Sequence, residues 1–174
     1  TYPMTCKAGA CLVIAYDEGG EERHPVTAAK WNLYASDRDA PGTETLYFHV
    51  VAAEGIANTS DIAQGQAPWW EVCVIEPSID GDAIKPGARF EALLAYDPAR
   101  GGHVTNLYYY EHESTARNVV AIEAVDGRRV RARLVGGLDP RSQLMSAEAN
   151  RTGAARVSVT AWFEHDPMSL RQAC

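Results

Sequence analysis

Short runs rich in Val, Ile, Tyr, Phe and Trp recur along the chain between clusters of Gly, Pro, Asp and Asn. In many runs apolar and polar residues alternate with a period of two, the pattern of a strand that buries one face. The pattern predicts strands at residues 11–16, 30–35, 45–53, 69–76, 89–96, 104–113, 119–125, 128–135 and 156–163. So many strands bury their apolar faces only in packed layers or a barrel. We therefore predict a mainly β fold, an antiparallel β-sandwich or flattened barrel of about nine strands.

The length of 174 residues fits a single β-rich domain spanning 1–174. The two longest connections, 54–68 and 138–153, have room for at most one or two short helices. No apolar run reaches the ~18 residues of a membrane span, so a soluble chain is expected. The first residues lack a basic stretch followed by a long apolar segment, which favours the cytoplasm. A periplasmic or secreted location after removal of a signal peptide stays open.

The four cysteines are Cys6, Cys11, Cys73 and Cys174, too few for the framework of a small disulfide scaffold. Cys73 lies in an apolar run, where a thiol packs as a small hydrophobe, so mostly free thiols are predicted. A local bridge between Cys6 and Cys11 is the alternative. No pair has CxxC spacing and no Gly-rich phosphate loop is present, so neither a metal nor a cofactor is expected.

The net charge of -7 argues against binding to nucleic acid or to anionic membranes, because both would be repelled. The charge is unevenly distributed. Residues 1–60 carry four basic and eight acidic residues, 61–115 carry three and nine, and 116–174 carry nine and six. Only three of the sixteen basic residues are Lys, so the cations are mostly guanidinium groups, which suit planar contacts with carboxylates or phosphates.

The strands at 119–125 and 128–135 are predicted to form a hairpin around Gly127. A three-residue loop, with Gly127 in the left-handed conformation of a bulge, pairs Ile122 with Val130 and Val120 with Ala132. One face of the hairpin then becomes apolar.

The other face of this hairpin displays Arg129, Arg131 and Arg133 in a row, since alternate residues of a strand point the same way. Such a row suits an acidic partner, a carboxylate or a phosphate. The simpler interpretation is that Glu123 and neighbouring carboxylates neutralise the row, or that it is a solvated face.

A second candidate region is the aromatic and acidic stretch at 108–113. On one continuous strand, Tyr109, Glu111 and Glu113 share a face, whereas Tyr108, Tyr110 and His112 share the other. The two carboxylates would suit acid/base chemistry or a hard cation in a cleft, but water can solvate both at a strand end. We therefore assign no catalytic residue and no metal site here.

Two consecutive tryptophans, Trp69 and Trp70, project to opposite faces of their strand. Either one of them is exposed, or two layers hide both. With the nearby tyrosines they suggest a rigid aromatic surface for a protein or sugar ligand. The predicted partner-binding residues are Trp69, Trp70, Tyr108, Tyr109, Tyr110, Glu111, Glu113, Arg129, Arg131 and Arg133.

Together these features predict a noncatalytic binding protein that engages a macromolecule, most simply another protein, with an inhibitor or immunity-type protein as one form. One alternative is a small-molecule-binding β-barrel or an enzyme that uses the Glu111/Glu113 pair and the His112/His165 pair. Another is a structural subunit of an oligomeric assembly. The sequence leaves the oligomeric state open.

Overall fold

The computed structural model describes residues 9–35, 44–53, 67–76, 79–98, 102–109, 111–138 and 154–167. The described chain is mainly β, as the alternating pattern predicts. Its strands are β1 (Cys11–Tyr16), β2 (Glu21–Ala35), β3 (Glu44–Ala52), β4 (Trp69–Glu76), β5 (Arg89–Ala92), β6 (Tyr96–Asp97), β7 (Gly102–His103), β8 (Thr105–Tyr109), β9 (Glu111–Glu113), β10 (Thr115–Asp126), β11 (Arg129–Leu138) and β12 (Ala154–His165). The only helical element among the described residues is the 3₁₀ turn Gly81–Ala83.

Ten strands form one sheet in the order β5-β10-β11-β12-β1-β2-β3-β4-β8-β9, and β6 pairs with β7. Strand β2 joins two parts of this sheet. Its first residues pair with β1, and its remainder pairs with β3. We call β5, β10, β11, β12 and β1 the β11 half, and β3, β4, β8 and β9 the β3 half. The end of β12 also pairs in parallel with β2.

The two halves pack face to face around an apolar core. Phe48 of β3 and Phe163 of β12 are fully buried, and their rings meet edge-on with centroids 5.0 Å apart. The other side chains of the core come from strand alternation, because every second residue of each long strand points inward. Leu12 and Ile14 of β1 are fully buried in this way. Each such side chain contributes about 1.5–3 kcal/mol by leaving water.

The predicted fold class is confirmed, and the predicted strands 11–16 and 69–76 have the observed bounds. Three predicted strands differ substantially from the structure. Strand β2 begins at Glu21 rather than at residue 30. The predicted strand 89–96 is divided into β5 and β6, and the predicted strand 104–113 is divided into β8 and β9. Residues 54–66 and 139–153, where short helices were expected, lie outside the described residues. No described helix is long and apolar enough to cross a membrane.

The predicted register of the β10–β11 hairpin is wrong. Ile122 lies opposite Ala132 instead of Val130, and Val120 lies opposite Leu134 instead of Ala132. The predicted assignment of an apolar and a charged face nevertheless holds, since the register differs by two residues and side chains alternate with that period.

The reason for the different register is where the extra residue sits. The strand pairing shifts between Ile122 and Ala124. The extra residue therefore lies in an irregularity within β10 and not in the loop. Asp126 then pairs with Arg129 and the turn has two central residues. Gly127 has a φ of +59°, which the first central position of a type II′ turn requires.

Both cysteines within the described residues, Cys11 on β1 and Cys73 on β4, are disulfide-bonded, and none there is free. The prediction of mostly free thiols is therefore wrong for these two. Cys73 is fully buried, and a buried half-cystine is as apolar as a buried thiol. An apolar sequence environment consequently does not distinguish the two oxidation states.

A buried polar network ties the two halves together beside Gly136. The indole Nε1 of Trp70 donates to Thr115 Oγ1 at 3.2 Å, and that hydroxyl donates to Asn118 Oδ1 at 2.6 Å. A Cβ at Gly136 would lie 2.5 Å from Asn118 Oδ1 and 2.9 Å from Trp70 Cζ2. The network thus requires a glycine at this position on β11.

We expect Gly136→Ala to lower the free energy of unfolding by about 1–3 kcal/mol, because the added methyl overpacks the network. Gly137→Ala is the matched control, since a Cβ at Gly137 meets its nearest atoms at an ordinary 3.6 Å. Urea denaturation of both variants checks this. Equal stability of the two variants would contradict the packing described here.

Candidate functional site

The outward row of arginines on β11 is present in the structure. Arg129, Arg131 and Arg133 are exposed, whereas the alternating residues Val130 and Ala132 are fully buried. The apolar side chains hold the strand against the core. The arginines consequently stand on a rigid surface with their guanidinium groups in water.

The three arginines differ in their contacts. Arg129 donates to Asp126 Oδ2 at 2.6 Å, and Arg131 Nε lies 3.0 Å from Glu123 Oε2. The guanidinium group of Arg133 has neither a hydrogen bond nor an ion pair with another described residue. Local carboxylates therefore neutralise two arginines of the row, and the Arg133 guanidinium remains available to a ligand. Exposed pairs of this kind contribute only about 0–1 kcal/mol, so they exchange readily.

Beside Arg133 an open groove of about 580 Å³ crosses the outer face of β11, β12 and β1 towards β2. Its floor includes Val13, Ser158 and Thr160, and guanidinium groups stand around it. The register places Thr160 opposite Arg133, Ser158 opposite Val13, and Val13 opposite Arg23. We call this feature the arginine groove; its arginines are Arg23, Arg131 and Arg133.

The groove forms because short side chains lie between long ones. Ser158 and Thr160 occupy two neighbouring outward positions of β12, and arginines project from β11 on one side and β2 on the other. Guanidinium forks bind carboxylates through paired hydrogen bonds, and hydroxyl groups add single donors. The chemistry of the groove thus suits an anionic group, although the chain as a whole carries a charge of -7.

The row is also next to an exposed tryptophan. Trp162 on β12 lies opposite Arg131 and is 38% exposed, and the Arg129 guanidinium carbon lies 5.1 Å from its ring centroid. An arginine at this distance over an indole makes a cation–π contact. The sequence interpretation did not include Trp162, although its alternation with the buried Phe163 could have indicated an outward ring.

The predicted aromatic surface is divided between the outside and the core. Trp69 stacks on Tyr108 with ring centroids 5.9 Å apart, and both are half-buried. Trp70 and Tyr109 are instead 1% and 0% exposed, so they are not available to a partner. Alternation turns these two inward, where the β11 half covers them. The assignment of Trp70 and Tyr109 to a partner-binding surface is therefore wrong.

The acidic part of the same stretch also differs from the prediction. The chain reverses after β8, so Glu111 of β9 pairs with Tyr109 across two antiparallel strands instead of following it along one. Glu113 lies opposite Leu107. Tyr110 and the side chains of Glu111 and His112 lie outside the described part of the chain, so their predicted roles stay predictions.

His165 does not share a strand pair with His112. It ends β12 opposite Trp31 of β2, and its ring meets the Trp31 ring edge-on at 5.3 Å. His112 lies on β9, at the far edge of the sheet. The two strands are therefore not neighbours in the described sheet, and the strand order does not bring the His112/His165 pair together. No group of three or more metal-ligating side chains occurs among the described residues.

A serine and a histidine do meet elsewhere. Ser114 Oγ lies 3.0 Å from His103 Nδ1, a nucleophile–base distance. Ser114, however, is only 1% exposed, so its hydroxyl cannot approach a substrate from outside. The geometry therefore favours a structural hydrogen bond.

The interior holds a cluster that the sequence interpretation missed. The hydroxyls of Tyr16 and Tyr109 donate to Glu22 Oε2 at 2.8 and 2.7 Å and also contact each other. Glu22 Oε1 lies 2.9 Å from His24 Nε2, and both side chains are almost completely buried. The cluster connects β1 and β2 with β8.

The protonation of this cluster follows from its contacts. His24 Nδ1 lies 3.2 Å from the carbonyl oxygen of Ala53, which only accepts, so Nδ1 carries a proton. Burial alone would raise the pKa of Glu22, but its contacts with His24, Tyr109 and Tyr16 together hold that pKa below its usual value. Glu22 is therefore a buried carboxylate that lies beside the His24 ring.

The sequence signal for this cluster is weak. Glu22 and His24 alternate with Glu21 and Arg23, so the whole stretch has the polarity of a loop. The turn around residues 17–20 directly after β1 is the one indication that the chain folds back as a strand.

The chain matches no protein-family model, no curated protein and no solved structure.

We expect Glu22→Gln to lower the free energy of unfolding at pH 7 by about 3–5 kcal/mol, because the substitution removes the carboxylate from a buried salt bridge and from two tyrosine hydroxyls. Glu91→Gln is the matched control, since Glu91 also forms a salt bridge with a residue two positions away but at the surface. Its expected cost is below about 1 kcal/mol.

The pH dependence tests the same pair. The folded pKa of Glu22 lies below the usual 4.5, so its stabilisation is present above that pH and is lost as the pH falls through the folded pKa. Denaturation curves between pH 7 and acid should show a smaller acid loss in Glu22→Gln than in the wild type. An identical acid loss would contradict an ionised Glu22.

Proposed function

We propose that the chain is a noncatalytic binding protein that engages another protein through the outer face of the β11 half. The observation that carries this proposal is the exposed Trp162 with Arg129 over its ring and Arg131 opposite it. Trp and Arg are among the residue types most enriched at binding hot spots. A partner that covered the exposed part of the Trp162 ring would gain the burial of its apolar surface.

The rigidity of this face supports a binding role. The three side chains project from central strands of the sheet, whose opposite face is packed into the core. A partner therefore meets side chains whose backbone is already fixed, which reduces the entropy lost on binding. An inhibitor or immunity-type protein, which blocks its target by occlusion, is one form that this arrangement would serve.

We infer a periplasmic or secreted location for this binding. Disulfides such as those at Cys11 and Cys73 persist in oxidising compartments and are rare in the cytosol. The disulfides therefore argue against the cytoplasmic location that the first residues of the chain predict.

Alkylation tests the cysteine assignment. In denaturant without reductant, peptides containing Cys11 and Cys73 should carry no alkyl group in mass spectrometry, and reduction should lower the free energy of unfolding by about 2–4 kcal/mol. Full alkylation of both residues in the denatured, unreduced protein would contradict the disulfides and remove the argument for an oxidising compartment.

The binding proposal is tested by capture from the extracytoplasmic fraction of the source organism, followed by calorimetry with the captured protein. Trp162→Ala should weaken the complex at least tenfold, as expected of a hot-spot residue. Leu94→Ala is the control, because Leu94 is 64% exposed and lies on a different segment. Failure to capture a partner, or a complex weakened only by Leu94→Ala, would overturn the proposal.

A further inference from the structure

We propose that the arginine groove binds an extended acidic peptide segment, with Arg133 receiving one of its carboxylates. This inference rests on the proposed function, and it names the chemistry of the partner. The chain is acidic overall, yet the groove is lined by three arginines and a single carboxylate, Glu123. The net negative charge of the chain repels acidic ligands elsewhere, whereas the positive charge of the groove attracts them at this position.

Arg133 is the expected anchor because its guanidinium has no partner among the described residues. A carboxylate that binds there breaks no existing ion pair, whereas one that binds Arg131 must compete with Glu123. Thr160 lies opposite Arg133 in the strand register, and its half-buried hydroxyl lies in the same groove. A fork from the arginine and a donor from the threonine together satisfy both oxygens of a carboxylate.

The dimensions of the groove favour a peptide over a single small anion. Arg133 on β11 and Arg23 on β2 are separated by β12 and β1. Strand spacing and rise put their Cα atoms roughly 15 Å apart. An extended segment covers that distance in about four to five residues. Acidic residues at positions i and i+4 of an extended segment share one face and would reach both arginines.

The carboxylate ligand is favoured over a polyanion of sulfate or phosphate groups. Glu123 lines the groove and forms an ion pair with Arg131. A guanidinium nitrogen of Arg23 lies 2.5 Å from Glu21 Oε1. These carboxylates would repel a densely charged polymer, and so would the net charge of the chain. A peptide with spaced carboxylates can instead place its neutral residues next to them.

The test titrates fluorescently labelled hexaglutamate into the folded, disulfide-intact chain at low salt, with anisotropy as the readout. We expect a dissociation constant of about 1 mM or lower that rises as salt screens the charges. Arg133→Glu should weaken binding at least tenfold. Lys85→Glu is the matched control, since it makes the same charge change at an exposed site outside the groove, and it should weaken binding less than threefold.

A second variant distinguishes a direct contact with the Thr160 hydroxyl from the general attraction between the groove and an acidic peptide. Thr160→Val removes the hydroxyl without changing the net charge, and we expect a loss of several-fold in affinity for hexaglutamate. Circular dichroism of each variant confirms that the fold is retained. A sulfated heparin hexasaccharide provides the competing ligand class.

Three outcomes would overturn the inference: no binding of hexaglutamate at low salt, equal losses in Arg133→Glu and Lys85→Glu, or Arg133-dependent binding of the heparin fragment alone. These outcomes are distinguishable from failure of the proposed function. If binding of a captured protein depends on Trp162 while hexaglutamate does not bind, the proposed binding face is retained and the acidic-peptide inference is rejected. If no partner protein is captured, the proposed function itself falls.

Discussion

The fold depends on the alternation of side chains along β2, the strand that both halves of the sheet share. Because β2 pairs with β1 at its start and with β3 afterwards, its register decides which face of each half is buried. The inner side of its first part carries Glu22 and His24, and the outer side carries Arg23. The interior must therefore hold a carboxylate, which the His24 ring and two tyrosine hydroxyls contact. A one-residue slip would bury Arg23 instead and move the groove wall.

The proposed binding face follows from the same geometry. Burial of one side of β11 and β12 in the core leaves the opposite side as a fixed platform of arginines, short hydroxyl residues and Trp162. Neighbouring carboxylates pair with Arg129 and Arg131 on this platform, which reduces its positive charge. The guanidinium of Arg133 has no such partner among the described residues, and it lines the groove. A rigid surface with an unpaired guanidinium in a groove supports the proposed binding role.

The sequence allowed part of this arrangement to be predicted. Alternation identified 11–16 and 69–76 with their observed bounds and the outward direction of Arg129, Arg131 and Arg133. Pairing between distant strands could not be read from alternation, so the groove and the charged cluster remained hidden. The irregularity in β10 was missed because the sequence does not say whether a loop or a strand absorbs an extra residue. Trp70 and Tyr109 were misassigned because burial depends on which half of the sheet lies opposite.

The proposed binding surface is the outer face of β11, β12 and β1. Nuclear magnetic resonance of the ¹⁵N-labelled chain during a titration with hexaglutamate would locate the contacts residue by residue. We expect the largest amide shift changes at Arg133, Ser158 and Thr160, and these changes should saturate together. Shift changes centred on the exposed Leu93 and Leu94, or spread evenly over the sheet, would contradict it.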